Sequence, residues 1–306
     1  MKGFLAILSF FVLALEAIGG EIKVGLLPIL ETLPVHVALQ EGYFPEDVKV
    51  ELVPVASAAE RDQLVASGEI DLAINDLISV AFFNHKGVKM VVVRTARQAT
   101  KSYPQFLLLS APTSGIRNPK ELKGVPIAIS EATIIHYVTE RLLQRAGLGP
   151  EDMTFLAIPR IPDRMSALVS GRVKAATLPD PLSLLALQQG ANPVMDDSSF
   201  PEYSLSVYSV RADFLEGNPH LIKGFLEGIE RAVRAINSDK ERWRKLLVER
   251  KLVPPPLKGS YSIPDLPLAS VPTEGQWSDV IDWMLQKGLI NQAIPYGECI
   301  NSGLLP

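Results

Sequence analysis

Short apolar runs alternate along this chain with stretches whose apolar residues recur every three or four positions, as strands alternate with amphipathic helices in a parallel α/β sheet. After Glu21 the pattern predicts strands over IKVGLLP, VKVELVPV, IDLAIND and VKMVVVRT. Helices fall between them over LPVHVALQEGYF, ending near Gly42, then AAERDQLVASG and LISVAFFNHKG. A strand-like connection, QFLLLSA, and a capped turn, NPKELKG, come next, with Asn118 as N-cap, Pro119 at the first helical position and Glu121 reaching back. A second series then repeats the alternation: strands VPIAIS, MTFLAIP, VKAATLP and NPVMDD, with helices TIIHYVTERLLQRAG, DRMSALVSG and PLSLLALQQG. One unit occurs in both series, as ERDQLVASGEIDLAIND and as DRMSALVSGRVKAATLPD. Each copy opens a helix with an acid and an arginine, ends it at Ser-Gly, and follows it with an apolar strand that stops at an aspartate. Each copy also lies between the second and third strands of its series.

Beyond Leu205 the chain is mostly helical, over PHLIKGFLEGIERAVRAINS and KERWRKLLVERK. The proline-rich stretch that follows cannot hold a regular helix. TEGQWSDVIDWMLQKG restarts one with a capping box, Thr273 with Gln276, and places Trp277, Val280, Ile281 and Met284 on one face, so its tryptophans read as core. The layout predicts a two-lobed α/β fold with two parallel-rich sheets flanked by helices. QFLLLSA and LSVYSV serve as crossing strands. Residues 20–106 form the first part of lobe 1, 107–207 form lobe 2, and 208–306 return to lobe 1 with the C-terminal helices. Ligands of open α/β sheets collect beyond the carboxyl ends of strands, so two facing lobes make a cleft to which each copy of the repeat contributes one jaw.

Composition narrows the function. The 306 residues suffice for two lobes with real cores, 47% hydrophobic and 21% charged content is that of a globular protein, and a net charge of −4 gives no electrostatic reason to expect nucleic acid. The N-terminus carries one lysine, an apolar run from Gly3 to Leu15, and small residues Ala17 and Gly19, which predicts a signal peptide over residues 1–19. The run is shorter than the roughly 20 residues that span a bilayer, Glu16 closes it, and no cysteine follows to carry a lipid. A soluble periplasmic protein is expected. Cys299 stands alone and cannot complete a disulfide, a CxxC pair or a cysteine zinc site. His136 and Glu140 lie one helical turn apart, but no second histidine completes a metal site, so a solvated helix face is expected there. Arg61 and Arg164, the arginines of the repeat, read as partners in helix-surface salt bridges. G-x-S-x-G, H-E-x-x-H, P-loop and dinucleotide fingerprints are absent from the sequence, and no catalytic residue, cofactor or metal is expected.

The segments VALQEGYFPEDVKVELVPV, SGEIDLAINDLISVAFFNHKG, GIRNPKELKGVPIAIS and LPDPLSLLALQQGA, taken in order, resemble the type II periplasmic solute-binding proteins of ABC importers, in the sulfonate, nitrate and thiamine-precursor binding branch. The likeness runs from about Ile22 to about Val210. It implies a monomeric binding protein that closes on a small polar metabolite and delivers it to an inner-membrane permease with its cytoplasmic ATPase. Matching positions imply ligand contacts at Thr32, Ser57, Asn75 and Asp76 in the first lobe, and at Ser130, Thr133, Arg160 and Asp180 in the second. Ser57, Ser130 and Asp76 are equally readable as helix caps alone. The mixture of acids, Arg160 and hydroxyls favours a thiamine-precursor-like heterocycle first and an organosulfonate second. Enzymes of thiamine or menaquinone precursor synthesis resemble the same fold and form the alternative reading.

Overall fold

The computed structural model describes residues 19–87 and 89–306, so all of the expected signal peptide but Gly19 lies outside the described residues. The strands are β1 (Gly20–Leu26), β2 (Val48–Pro54), β3 (Leu72–Asp76), β4 (Met90–Gln98), β5 (Phe106–Ser110), β6 (Pro126–Ile129), β7 (Thr154–Ala157), β8 (Ala175–Pro179), β9 (Asn192–Asp196) and β10 (Leu205–Arg211). The helices are α1 (Leu33–Gln40), α2 (Ala58–Ser67), α3 (Leu77–His85), α4 (Ile134–Arg145), α5 (Ile161–Val169), α6 (Leu182–Gln188), α7 (Ala212–Gly217), α8 (Pro219–Ser238), α9 (Arg244–Glu249), α10 (Glu274–Gln286) and α11 (Tyr296–Cys299).

Two five-stranded sheets carry the lobes, in the orders β2-β1-β3-β10-β4 and β7-β6-β8-β5-β9. They are the same sheet built twice. The first three strands of each run parallel, and the fourth is an antiparallel strand that has just arrived from the other lobe. β5 and β10, expected to span the lobes, therefore sit inside the receiving sheets; the crossings themselves are the irregular segments 99–105 and 197–204. Those segments are tied together, because Asp197 accepts hydrogen bonds from the amides of Gln105 (2.9 Å) and Phe106 (3.1 Å).

Local chemistry explains where the helices start. Ser57, Asp76, Thr133 and Thr273 each accept a bond from a first-turn amide of α2, α3, α4 and α10, satisfying a donor that has no partner within the helix. Gly68 ends α2 at φ 82°, a left-handed conformation that an L side chain resists. Long α8 packs on α1 and on the first sheet, bringing Gly228 against the Phe44 ring. KERWRKLLVERK, expected as one helix, breaks instead into a 3-10 turn (Glu241–Trp243) and the short α9. The break lets Trp243 bury itself and donate to the Ala235 carbonyl at 3.3 Å.

A third connection joins the lobes. Helix α10 packs on α3 of the first lobe, while its Asp279 accepts bonds from Tyr137 Oη (2.5 Å) and Arg141 Nε (2.8 Å) on α4 of the second. Lys287, just past α10, pairs with Glu140 at 2.7 Å. Trp277 and Trp283 are buried beneath it, as expected.

Candidate ligand cleft

The carboxyl ends of the parallel strands of both sheets give way to the N-termini of α1 to α6, and the eight residues expected to contact ligand lie there. The structure sorts them into three kinds. Ser57, Asp76 and Thr133 are caps, and the Ser130 carbonyl accepts from the Thr133 hydroxyl at 2.6 Å, so that loop is braced by its own chain. Burial raises the Asp76 carboxyl above its ordinary range, against the pull of the Ser79 amide. Thr32 is wholly buried and donates to the Ile29 carbonyl at 2.8 Å. Arg160 is exposed at the start of α5 and pairs with Asp163 at 3.3 Å. Asn75 and Asp180 are of the third kind, buried polar side chains with a group left over. Asn75 accepts from the Ser209 hydroxyl at 2.9 Å while its Nδ2 has no hydrogen-bond partner among the described residues.

Asp180 is the centre of a cluster that draws on both lobes. Its Oδ2 accepts from Arg97 Nη2 at 2.6 Å and from Tyr261 Oη at 2.5 Å. Arg97 is the penultimate residue of β4 in the first lobe, and Asp180 follows β8 in the second, so this ion pair joins the two lobes. On the far side of Arg97 stands Glu31, 4.0 Å away, whose Oε1 also accepts from Gln105 Nε2 (3.1 Å) and Ser206 Oγ (3.2 Å). Burial alone would pull the Arg97 guanidinium down, but Asp180 and Glu31 more than offset it and leave it raised. Burial also pushes the nearby Tyr103 hydroxyl up to about 12.

Five buried polar atoms of the cluster find no hydrogen-bond partner among the described residues: Glu31 Oε2, Arg97 Nη1, Tyr103 Oη, Gln105 Oε1 and Asp180 Oδ1. Buried polar groups are ordinarily satisfied, so such a concentration between two lobes makes this cluster the candidate ligand site. Two carboxylates against one guanidinium also leave the cleft floor formally negative. Sequence reasoning found Asp180 and missed Glu31, Arg97, Gln105, Ser206 and Tyr261. One signal was available: Arg94 and Arg97 interrupt the apolar run of β4, where charge is tolerated only if paired. Arg94 proves to be bound at 2.9 Å to Glu230 of α8.

Two expectations are overturned. Arg61 and Arg164 are not surface residues; both are buried, and both brace the strand that follows their helix. Arg61 Nη1 donates to the Ile74 carbonyl at 3.0 Å, and Arg164 Nε to the Thr177 carbonyl at 2.9 Å, each pair separated by 13 residues. His136 and Glu140 do not form a solvated face either. The imidazole sits edge-on between Phe155 (4.7 Å) and Trp283 (5.2 Å), and Glu140 is buried against Lys287, because α10 covers this side of α4. Burial lowers the His136 pKa, and its Nδ1 accepts from the Ala132 amide at 3.3 Å, holding Ala132 at φ 56°.

Comparison with known proteins shows the family and the fold. Residues 30–242 match the family described as NMT1/THI5 like. A protein of Escherichia coli named for binding aliphatic sulfonates is 28% identical over 225 residues, covering 73% of this chain and 68% of the relative. The crystal structure of the periplasmic aliphatic sulphonate binding protein SsuA from Escherichia coli superposes with a TM-score of 0.77 at 23% identity, over 92% of both chains. The same fold is shared, at a TM-score of 0.69 and 14% identity over 93% of this chain and 97% of the other, by the desulfurization enzyme DSZB.

Proposed function

The chain belongs to the NMT1/THI5-like family, and from that premise we propose that it is the extracytoplasmic solute-binding component of an ABC importer, closing its lobes on an organosulfonate. The observation that carries the binding reading is the Arg97–Asp180 pair across the cleft, with unsatisfied donors and acceptors gathered around it. A ligand that supplies those partners only when the lobes are together favours the closed form, which is all that a binding protein requires. The relative named for aliphatic sulfonates supports a sulfonate ahead of the thiamine-precursor heterocycle, reversing the order that residue chemistry alone suggested.

Catalysis on this fold is the second reading, favoured by the likeness to DSZB. It calls for a nucleophile beside a base or a group poised to move a proton. His136 has its Nδ1 taken by the Ala132 amide and its ring packed edge-on against Phe155 and Trp283, and Cys299 lies buried against Asn84 at the other end of the first sheet, its thiol pushed up to about 11 by burial. The binding reading therefore leads.

A periplasmic location accords with the apolar N-terminus, and the mature chain isolated from its native envelope is expected to start near Gly20 by intact mass. The direct test is thermal shift against linear alkanesulfonates and hydroxymethylpyrimidines. A ligand that binds only the folded state adds about 2.7 kcal/mol of stability at one hundred times its dissociation constant. Small-angle scattering should show compaction with the same ligand, and mass spectrometry should recover it unchanged. Turnover of the sulfonate overturns the binding reading, whereas a shift with pyrimidines alone overturns the ligand class.

A further inference from the structure

The negative cleft floor raises a question about any anionic ligand, since Glu31 and Asp180 together outweigh the single positive charge of Arg97. A cation without a built-in counter-charge has to be found elsewhere. The two copies of the repeat differ at this point.

In the first lobe the repeat arginine is neutralised internally. Arg61 Nη2 lies 2.8 Å from Asp62 Oδ1 and also donates to Ser79 Oγ at 3.4 Å. Ser79 stands three residues after Asp76, in the sequence DLIS. The second lobe keeps the arginine, the strand-terminal aspartate and the serine three residues beyond it, in DPLS, but Met165 occupies the place of Asp62. Arg164 consequently has no carboxylate partner among the described residues. Its guanidinium is fully buried, donates to the carbonyls of Thr177 (2.9 Å) and Ile158 (2.6 Å), with a longer contact to Pro159 (3.5 Å), and leaves Nη2 unpartnered. Ser183, the counterpart of Ser79, is also fully buried, and its Oγ is likewise unpartnered. Burial without a counter-charge depresses Arg164 to about 10, the opposite of what happens to carboxylate-flanked Arg97.

We propose that Arg164 and Ser183 form an anion subsite in the second lobe, which holds the sulfonate head group of the ligand in the position that Asp62 and Ser79 fill for Arg61 in the first. This rests on the sulfonate reading above for the identity of the anion, though not for the existence of the subsite. Of the carbonyls that steady Arg164, that of Ile158 follows β7 and that of Thr177 lies mid-way along β8, while Arg164 and Ser183 themselves stand in the first turns of α5 and α6, on the side of the sheet where its parallel strands end. Met165 and Leu182, the neighbours of the two residues in sequence, pack against a hydrophobic cluster that joins Leu185 of the second lobe to the core of the first. A planar guanidinium and a hydroxyl suit a tetrahedral oxyanion, which accepts from both while its third oxygen remains free.

The test is calorimetric titration of the wild-type protein and two variants with ethanesulfonate, propionate and ethylphosphonate. Met165→Asp restores the internal counter-charge and is expected to weaken ethanesulfonate binding by about a hundredfold or more while leaving the melting temperature of the ligand-free protein unchanged or raised. Ser183→Ala removes one donor with little change in shape, and is expected to weaken it by about tenfold. A purely structural Arg164 predicts instead a gain in stability for Met165→Asp with wild-type affinity in both variants, and that result overturns the subsite while leaving the sulfonate reading intact. Binding of propionate or ethylphosphonate alone, lost in both variants, upholds the subsite and overturns the sulfonate reading. Failure of the wild-type protein to bind any of the three anions overturns both.

Discussion

Replacing Asp180 by alanine probes the contact on which the cleft is built. The carboxylate accepts two short bonds, from Arg97 at 2.6 Å and Tyr261 at 2.5 Å, with the Arg97 and Asp180 side chains 2% and 1% exposed. Breaking a buried pair by removing one partner costs roughly 3–5 kcal/mol, because the other charge is left uncompensated in a medium that solvates it poorly. Glu31 stays within 4.0 Å of the guanidinium and takes up part of that charge, which places Asp180→Ala at the low end, about 3 kcal/mol. For a chain of this size each kcal/mol lowers the melting temperature by about 2 °C, so the variant should melt about 6 °C lower. A double-mutant cycle with Arg97→Met separates the pair from its surroundings. If the two charges depend on each other, the double variant loses less than the sum of the single losses by about 2 kcal/mol or more, since neither charge is then stranded. Calorimetry or circular dichroism in the absence of ligand measures all four proteins. A melting temperature within about 1 °C of wild type for Asp180→Ala, or additivity within about 0.5 kcal/mol, would refute the claim that this ion pair holds the lobes together.

Three other outcomes are expected. Burial pushes Asp197 from 3.8 up to about 6, against the amides of Phe106 and Gln105 and the Ser204 hydroxyl that pull it down. Its contribution to stability is therefore complete below about pH 4 and lost as pH rises through 6, about 3 kcal/mol in all, and Asp197→Asn should flatten that part of the pH–stability curve. An unchanged slope would mean that Asp197 is not the group responsible. Gly228→Ala would set a Cβ 2.3 Å from the Phe44 ring, which is itself stacked on Phe225, and should cost about 1–3 kcal/mol by overpacking, whereas Gly217→Ala, with open space around it, should leave the melting temperature unchanged or slightly raised. Arg61→Met strands the Ile74 carbonyl and Asp62 together and should destabilise the first lobe by about 2 kcal/mol or more in urea titration; equal stability would show that the brace is ornamental.

Much of the fold was legible because its determinants are local. Period-two and period-3.6 patterns, the caps at Asn118 and Thr273, and left-handed glycines such as Gly68 each act within a few residues of the structure they set. The tandem repeat showed that one sheet is built twice, and the two strand orders agree position by position. What the pattern did not show is that β5 and β10 run antiparallel within the receiving sheets, because an apolar run carries no mark of its direction. KERWRKLLVERK kept a helical period across a break that only the burial of Trp243 imposes.

The site was legible only in part, for a related reason. Of eight residues named from sequence, three proved to be caps, and a polar residue at a strand end serves a cap and a ligand equally well on paper. The cluster around Asp180 joins residues as far apart in sequence as Glu31 and Tyr261, and no spacing encodes their meeting. The repeat arginines show the limit most clearly. An acid beside an arginine at the start of a helix has the pattern of an exposed ion pair, and Arg160 with Asp163 does form one. Arg61 and Arg164 carry that same pattern inward, because each guanidinium donates to the carbonyl of the middle residue of the next strand. Once both are placed, the replacement of Asp62 by Met165 ceases to be a neutral difference between two copies: it removes the one carboxylate that makes burial of the arginine affordable in the first lobe. A chain that retains the cation and discards its counter-ion at the edge of a cleft has left a charge for something else to balance.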